Sequence, residues 1–329
     1  MATAPNATTP ADWTWNPRAL LRRYASGDEI AHLITLICAG SILLLTAMLV
    51  YQLWIHSLES RQKFGWGFFF TSVWDPVFSH FGALTFIYGT LLTSALALLL
   101  AVPLGVGAAI YLAELAPRRL SDSLTFVSDM LAAVPSVIYG VLGAFLLVPI
   151  MRTTIQPWLK ASLGFLPLFQ GPMFGTGFLT AGIVLAVMIV PYILSVSREV
   201  LLAVPRDLRE AALGLGATRW EMTWRVVLPA ARVGIFGSVF LALARALGET
   251  MAVTMVIGNN PKISASLFSS GYSIAAVLAN EFSEATGNLY LSALIELGLV
   301  LFLVTFVLNG FARLLIVVTT ARGTTTGHA

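Results

Sequence analysis

Between Ile30 and Leu53 lie 24 consecutive residues without an Asp, Glu, Lys or Arg. A helix crossing the hydrocarbon core of a bilayer needs ~20 apolar residues, and its backbone must satisfy its own hydrogen bonds because no water is there to do so. Such runs recur along the chain. Asp75 and Glu114 enclose an uncharged stretch that places a second span within Leu84 to Ala113. A third is expected from Asp129 to Ile150, and a fourth within Gly177 to Ser197. Two further apolar segments carry charge: Ala230 to Ile257 contains Arg245 and Glu249, and Leu289 to Val318 contains Glu296. The expected architecture is an all-α membrane protein with six transmembrane helices. Composition excludes the soluble alternatives. With 57% hydrophobic and 11% charged residues, against ~25% charged in an ordinary soluble domain, the chain has more apolar surface than a soluble core of this size can bury.

The basic residues orient the spans. Six crossings put both termini on one side. With the termini inside, thirteen of the nineteen Lys and Arg fall in inner segments, five in outer ones, and Arg245 alone within a span. This bias predicts cytoplasmic termini. The expected organisation is a cytoplasmic leader over 1–29, a transmembrane domain over 30–318 with a long cytoplasmic loop at 198–232, and a cytoplasmic tail over 319–329. The first span is too long for a signal-peptide core and reads as an uncleaved anchor. Pro103, Pro135 and Pro191 sit inside the expected spans, where each removes a backbone donor and can kink its helix. The single cysteine, Cys38, excludes an internal disulfide and a cysteine-based zinc site. No pair among the four histidines has metal-ligand spacing, so no metal site is expected.

The loop at 198–232 reads SREVLLAVPRDLREAALGLGATRWEMTWRVVLPAAR. Pro205 suits a helix start, where its missing N–H costs little. Glu210, Ala211 and Ala212 continue that helix, and Gly214 and Gly216 break it. Trp220 and Trp224, four apart, share one face of a second helix, and Pro229 marks the expected entry into span five. The design is a short, small-sided helix that another protein can approach closely.

Glu210, Ala211, Ala212, Gly216, Leu228 and Pro229 match the "EAA" signature of ABC importer permeases, with Val226 in place of the usual isoleucine. The chain thus resembles that family. The resemblance implies a type I (MetI-like) permease fold in which Glu210, Ala211, Ala212 and Gly216 belong to a coupling helix that docks on an ATPase subunit. No lysine follows a glycine, so the chain lacks the P-loop an ATPase needs. ATP and magnesium therefore belong to a partner, this chain is not an enzyme, and no cofactor is expected in it.

Further strings narrow the resemblance. Trp74-Asp75-Pro76, LAAVPSVIYG from Leu131, IVPYI from Ile189, RALGETMAV from Arg245 and LANEF from Leu278 are similar to the phosphate-specific permease subunits of the PstC type. That implies import of inorganic phosphate by alternating access. It also implies a PstA-like second permease subunit, a PstB-like ATPase dimer, a periplasmic phosphate-binding protein and a PhoU-like regulator. Permeases for sulfate or molybdate share the EAA loop, and competition between anions discriminates them. An ion-driven secondary transporter would instead work without an ATPase, and a membrane enzyme would need a nucleophile or metal cluster that Arg245 and Glu249 do not make.

Arg245 is the natural anion contact. An arginine near mid-span costs about 2.5–3.5 kcal/mol on insertion scales, so it should face protein or a wet cavity. Its planar fork suits phosphate. Glu249, four residues on, is expected on the same helical face, holding Arg245 or meeting a protonated phosphate. A structural ion pair that locks span five to a neighbour is the competing reading. Thr250 and Thr254 near that pair, and Ser136 and Tyr139 after Pro135, either line the path or satisfy backbone groups. Asp129 is expected at the start of span three, where a carboxylate suits a helix N-terminus. Glu296 is open between a path role and an inter-helix contact. Glu281 and Glu284 are open between meeting the binding protein and being solvated.

Overall fold

The computed structural model describes the backbone of residues 28–324 and the side chains of residues 31–314. The leader expected over 1–29 therefore lies almost wholly outside the described residues. The chain divides into two compact units, Met1–Gln52 and Leu53–Ala329. The first contains most of helix α1 (Asp28–His56), 29 residues long and free of Asp, Glu, Lys and Arg after Glu29.

The second unit continues with two short helices, α2 (Leu58–Phe64) and α3 (Gly67–Phe70). Helix α4 (Leu84–Leu115) then crosses, followed by an amphipathic helix α5 (Arg118–Ala132). Helices α6 (Ser136–Leu163) and α7 (Phe178–Leu202) cross next. The loop helix α8 (Arg206–Gly214) leads to α9 (Arg219–Leu247). Two short helices, α10 (Met251–Ile257) and α11 (Ile274–Glu281), precede α12 (Asn288–Thr324), which runs on into the expected tail. With α1, helices α4, α6, α7, α9 and α12 make six that are long and apolar enough to cross a membrane.

Two expected spans are redrawn. Span three was expected from Asp129, but Pro135 does not kink a continuous helix. It caps the start of α6 with an extended backbone (ψ 137°) and separates α6 from α5. A proline disfavours helical geometry in the residue before it, so Asp129 sits in the last turn of α5 rather than at a helix N-terminus. Span five was expected to reach Ile257, but α9 stops at Leu247. Gly248 has poor helix propensity, and the Thr250 hydroxyl bonds back to the Gly248 carbonyl at 3.3 Å, competing with the backbone ladder. Span five was expected to begin at Pro229, but α9 starts at Arg219 and Pro229 lies inside it. The four described π turns, Tyr111–Leu115, Gly143–Leu147, Met151–Ile155 and Thr223–Val227, each end two residues before a proline (Pro117, Pro149, Pro157, Pro229). The widened turn lets the last available N–H reach one residue further back, and frees the carbonyl with which the proline ring would collide.

Helix α7 is the centre of this unit, with 61% of its most apolar window buried. Small residues bring α4 against it: a Cβ on Gly105 would lie 2.8 Å from Ile193, and one on Gly182 would lie 2.8 Å from Leu96. In lipid, where no hydrophobic force drives helices together, such close approach supplies the dispersion energy of association. The main cluster joins Ala97 and Ala101 of α4, Leu185, Ile189 and Ile193 of α7, Ala242 and Ala246 of α9, and Val253 and Val256 of α10. A second cluster gathers Phe81, Phe86, Ile274 and Leu294 beside the 64–86 segment. A third joins Ile110, Leu201, Ala212, Met222 and Val227, and seats the loop helix α8 on the ends of α4 and α7.

Candidate functional site

Most of the polar residues singled out above gather in two places. The first is the break between α9 and α10. Arg245 lies in the last turn of α9, where the carbonyl end of the helix favours a cation. Its side chain is exposed, and its guanidinium carbon stands 5.7 Å from the centre of the Tyr192 ring on α7. That distance is within cation–π range. Among the described residues no carboxylate pairs with it; the ion pairs there involve Arg198 and Arg209.

Glu249 is therefore not the i+4 neighbour on one helical face that its spacing suggests. The helix ends between them, and Glu249 Oε1 instead accepts the backbone N–H of Ala252 at 3.2 Å, capping the start of α10. Thr250 and Thr254 also serve the backbone: Thr254 donates to the Thr250 carbonyl at 2.8 Å. The Tyr139 hydroxyl is buried and donates to the Leu131 carbonyl at 2.7 Å, across the Pro135 break. Ser136 is half-buried at the first position of α6. A Cβ on Gly140 would lie 3.0 Å from the Cα of Ala252, which fixes how closely α6 meets α10. The structure thus joins Ser136, Tyr139, Arg245, Glu249 and Thr250 in one region of α6, α7, α9 and α10. Among the described residues it leaves Arg245 there without a carboxylate partner. Tyr192 was missed from the sequence, and its only signal was its place after Pro191 in the IVPYI string.

The second place is the loop helix. Pro205 caps α8, and Gly216 ends the turn after it in the left-handed region at φ +87°. Glu210, Ala211 and Gly216 are exposed while Ala212 is buried. Leu208 and Leu213 are exposed beside them, and Leu215 is 90% exposed. Thr218 and Glu221 form a capping box that starts α9. Trp220 and Trp224 stack edge to face, 5.4 Å apart, and stay exposed.

Two glutamates have structural surroundings. Glu281 Oε2 accepts from Trp74 Nε1 at 2.8 Å and from the Tyr290 hydroxyl at 2.6 Å. Trp74 in turn packs on Phe81 and Phe86 with ring centres 4.8 and 4.9 Å away. Glu296 is 1% exposed on α12, one turn from Ser292, whose hydroxyl accepts the Ser60 N–H. This is an inter-helix setting.

A bundle of crossing helices around a small-residue core, with a capped helix displayed on its connecting loop, defines a class. The chain belongs to the family described as binding-protein-dependent transport system inner membrane component, which it matches over residues 101–316. It is thus a multi-pass inner-membrane permease component of an ABC importer, with the ATPase and the substrate-binding protein supplied by other chains. It is 47% identical over 92% of its length to a phosphate transport system permease protein PstC of Mesorhizobium japonicum, covering 94% of that protein. It is 50% identical over 84% of its length to the protein of that name from Pasteurella multocida, covering 87% of it. In fold it is similar to a chain of a bacterial ABC transporter involved in the import of the acidic polysaccharide alginate. That likeness has a TM-score of 0.55 at 16% identity and covers 89% of this chain and 98% of the other.

Proposed function

We propose that this chain is one of two membrane subunits of an ATP-driven importer of inorganic phosphate. Arg245 carries the reading: a charged fork at the end of a membrane helix, exposed from its own fold and unpaired among the described residues. An exposed, unpaired guanidinium in such a place can accept an anion from a wet path. The similarity to PstC proteins over most of the chain supports phosphate as that anion. Glu249 acts as a positioning residue that holds the break by capping α10, so that Arg245 projects from a fixed helix end. Ser136, Tyr139 and Thr250 shape the wall beside it.

The surface from which Arg245 projects is completed by a PstA-like second permease subunit. A PstB-like ATPase dimer engages α8 through Glu210, Ala211, Gly216 and the exposed leucines. A phosphate-binding protein delivers substrate from the opposite side, and a PhoU-like regulator attaches to the assembly. Both termini are placed on the cytoplasmic side, the orientation that the distribution of basic residues favours. In the cycle, ATP closes the ATPase dimer, α8 moves, and the helices alternate between inward- and outward-facing states. ATP and magnesium are held by the ATPase.

The test is ATP-driven uptake of phosphate by vesicles carrying the full complex, with sulfate as competitor, for the wild type and Arg245→Gln. Uptake that resists sulfate and is lost in an assembled Arg245→Gln complex supports both substrate and site. Uptake that survives the substitution removes Arg245 from the path, and movement of another anion instead of phosphate overturns the substrate.

A further inference from the structure

Arg209, the residue before the EAA signature, makes no use of the exposed side of α8. Its Nη2 lies 2.8 Å from Glu114 Oε1 and its Nε donates to Glu114 Oε2 at 3.3 Å, a two-pronged grip on one carboxylate. Nη2 also donates to the Leu201 carbonyl at 2.7 Å, and Nη1 donates to the Val204 carbonyl. One guanidinium therefore joins the loop helix, the end of α4 and the last turn of α7. The Leu201 carbonyl lies in the last turn of α7 and also accepts the Val204 N–H at 3.3 Å, while Val204 lies two residues past the helix end. The Glu114 side chain is 4% exposed and that of Arg209 17%. A planar, always-charged fork suits such a three-way junction, which a lysine cannot reproduce.

Helix α7 leads from this junction to the other site. Tyr192, which carries the cation–π contact to Arg245, lies nine residues before Leu201, about 14 Å along the helix axis. The same end of α7 holds a second tie: Arg198 donates to Ser121 at 3.2 Å and faces Asp122 at 3.8 Å, both on α5. Helix α5 in turn supplies the Leu131 carbonyl that anchors Tyr139.

We propose that Arg209 is the positioning residue that transmits movement of the loop helix to the membrane helices. Through Glu114 and the carbonyls of Leu201 and Val204, at and just past the end of α7, it makes α8, α4 and α7 move as one body, so that α8 cannot shift without carrying Tyr192 and the surroundings of Arg245. The inference rests on the importer reading above. It adds the residue through which ATP-driven motion reaches the path.

The test uses the complete complex reconstituted in vesicles with its binding protein. Inorganic phosphate taken up and ATP hydrolysed are measured together in Arg209→Met and in the double variant Arg209→Met/Glu114→Gln. The double variant removes both charges, so no uncompensated ion stays buried and the fold is retained. The expected result is continued ATP hydrolysis with about fivefold or more loss in phosphate moved per ATP, the scale of a typical coupling between sites. An unchanged ratio in the double variant overturns the inference. So does failure of the folded double variant to assemble, which would make the pair a docking element. A wild-type complex that hydrolyses ATP and moves no phosphate overturns the proposed function instead, so the two failures are distinguishable.

Discussion

Arg209 sits beside the last turn of α7 and Arg245 beside Tyr192, near the middle of the same helix, and their surroundings are opposite. Arg209 is mostly buried, with a carboxylate and two backbone carbonyls around its fork. Arg245 is exposed at the end of α9, with one aromatic ring beside it and no carboxylate among the described residues. A buried charge is tolerated only when paired and hydrogen-bonded, and such pairing holds the side chain in one geometry. Arg209 is therefore fixed to the protein's own helices, and a fixed charge transmits force. Arg245 retains unspent hydrogen-bonding capacity, and a free charge can receive an anion.

The largest expected effect breaks this contrast at Arg245. Arg245→Gln should lower phosphate uptake by about tenfold to a hundredfold, the scale of a charge-assisted hydrogen bond of ~1.5–3 kcal/mol. Its thermal unfolding should stay close to the wild type, because no ion pair is lost. A fall in stability without loss of uptake would assign Arg245 to the structural class of Arg209. Glu114→Ala should do the reverse at Arg209. It strands a largely buried guanidinium, for which breaking a buried pair costs about 3–5 kcal/mol. The two carbonyl bonds that remain place it at the low end of that range. Thermal unfolding in detergent measures this, and an unchanged midpoint would show that the junction bears no load.

Gly105 tests the shaft between the two arginines. A Cβ there meets Ile193 at 2.8 Å, whereas a Cβ on Gly107 meets nothing within 4 Å. Gly105→Ala should cost about 1–3 kcal/mol by overpacking, and Gly107→Ala should be neutral or slightly stabilising. Equal unfolding temperatures for the two variants would sink the close α4–α7 contact. The smallest effect is expected at Glu249. Glu249→Ala removes the acceptor that caps α10, worth about 0.5–2 kcal/mol, and Glu249→Gln keeps an acceptor oxygen. Uptake should fall in the alanine variant and recover largely in the glutamine variant. An equal defect in both would mean that the negative charge itself is needed at the path.

The crossing helices were legible because length and apolarity are local properties. Each of the six expected spans overlaps an observed one. The loop helix was legible for a similar reason, since Pro205, the Glu210–Ala212 run and Gly216 act through their own backbone preferences. The errors fell where two local rules compete or where a partner lies far along the chain. Hydropathy alone carried span five through Gly248 to Ile257, and helix propensity with a side-chain cap stopped it at Leu247. Hydropathy likewise merged α5 with α6 until Pro135 divided them. The spacing of Arg245 and Glu249 suggested a pair, and the helix end between them removed it. Glu114 and Arg209, 95 residues apart, carried no pattern that links them.

The residues themselves determined that this chain must live in a bilayer, how many times it can cross, and that it cannot hydrolyse ATP by a P-loop of its own. Those facts follow from transfer energies and from the chemistry of single side chains, which do not depend on neighbours. The tertiary structure decided which charges are spent and which are free. Pairing depends on the positions that packing of α4, α7 and α8 gives to side chains remote in sequence, and only that packing separates an arginine tied to a carboxylate from one left without such a partner among the described residues.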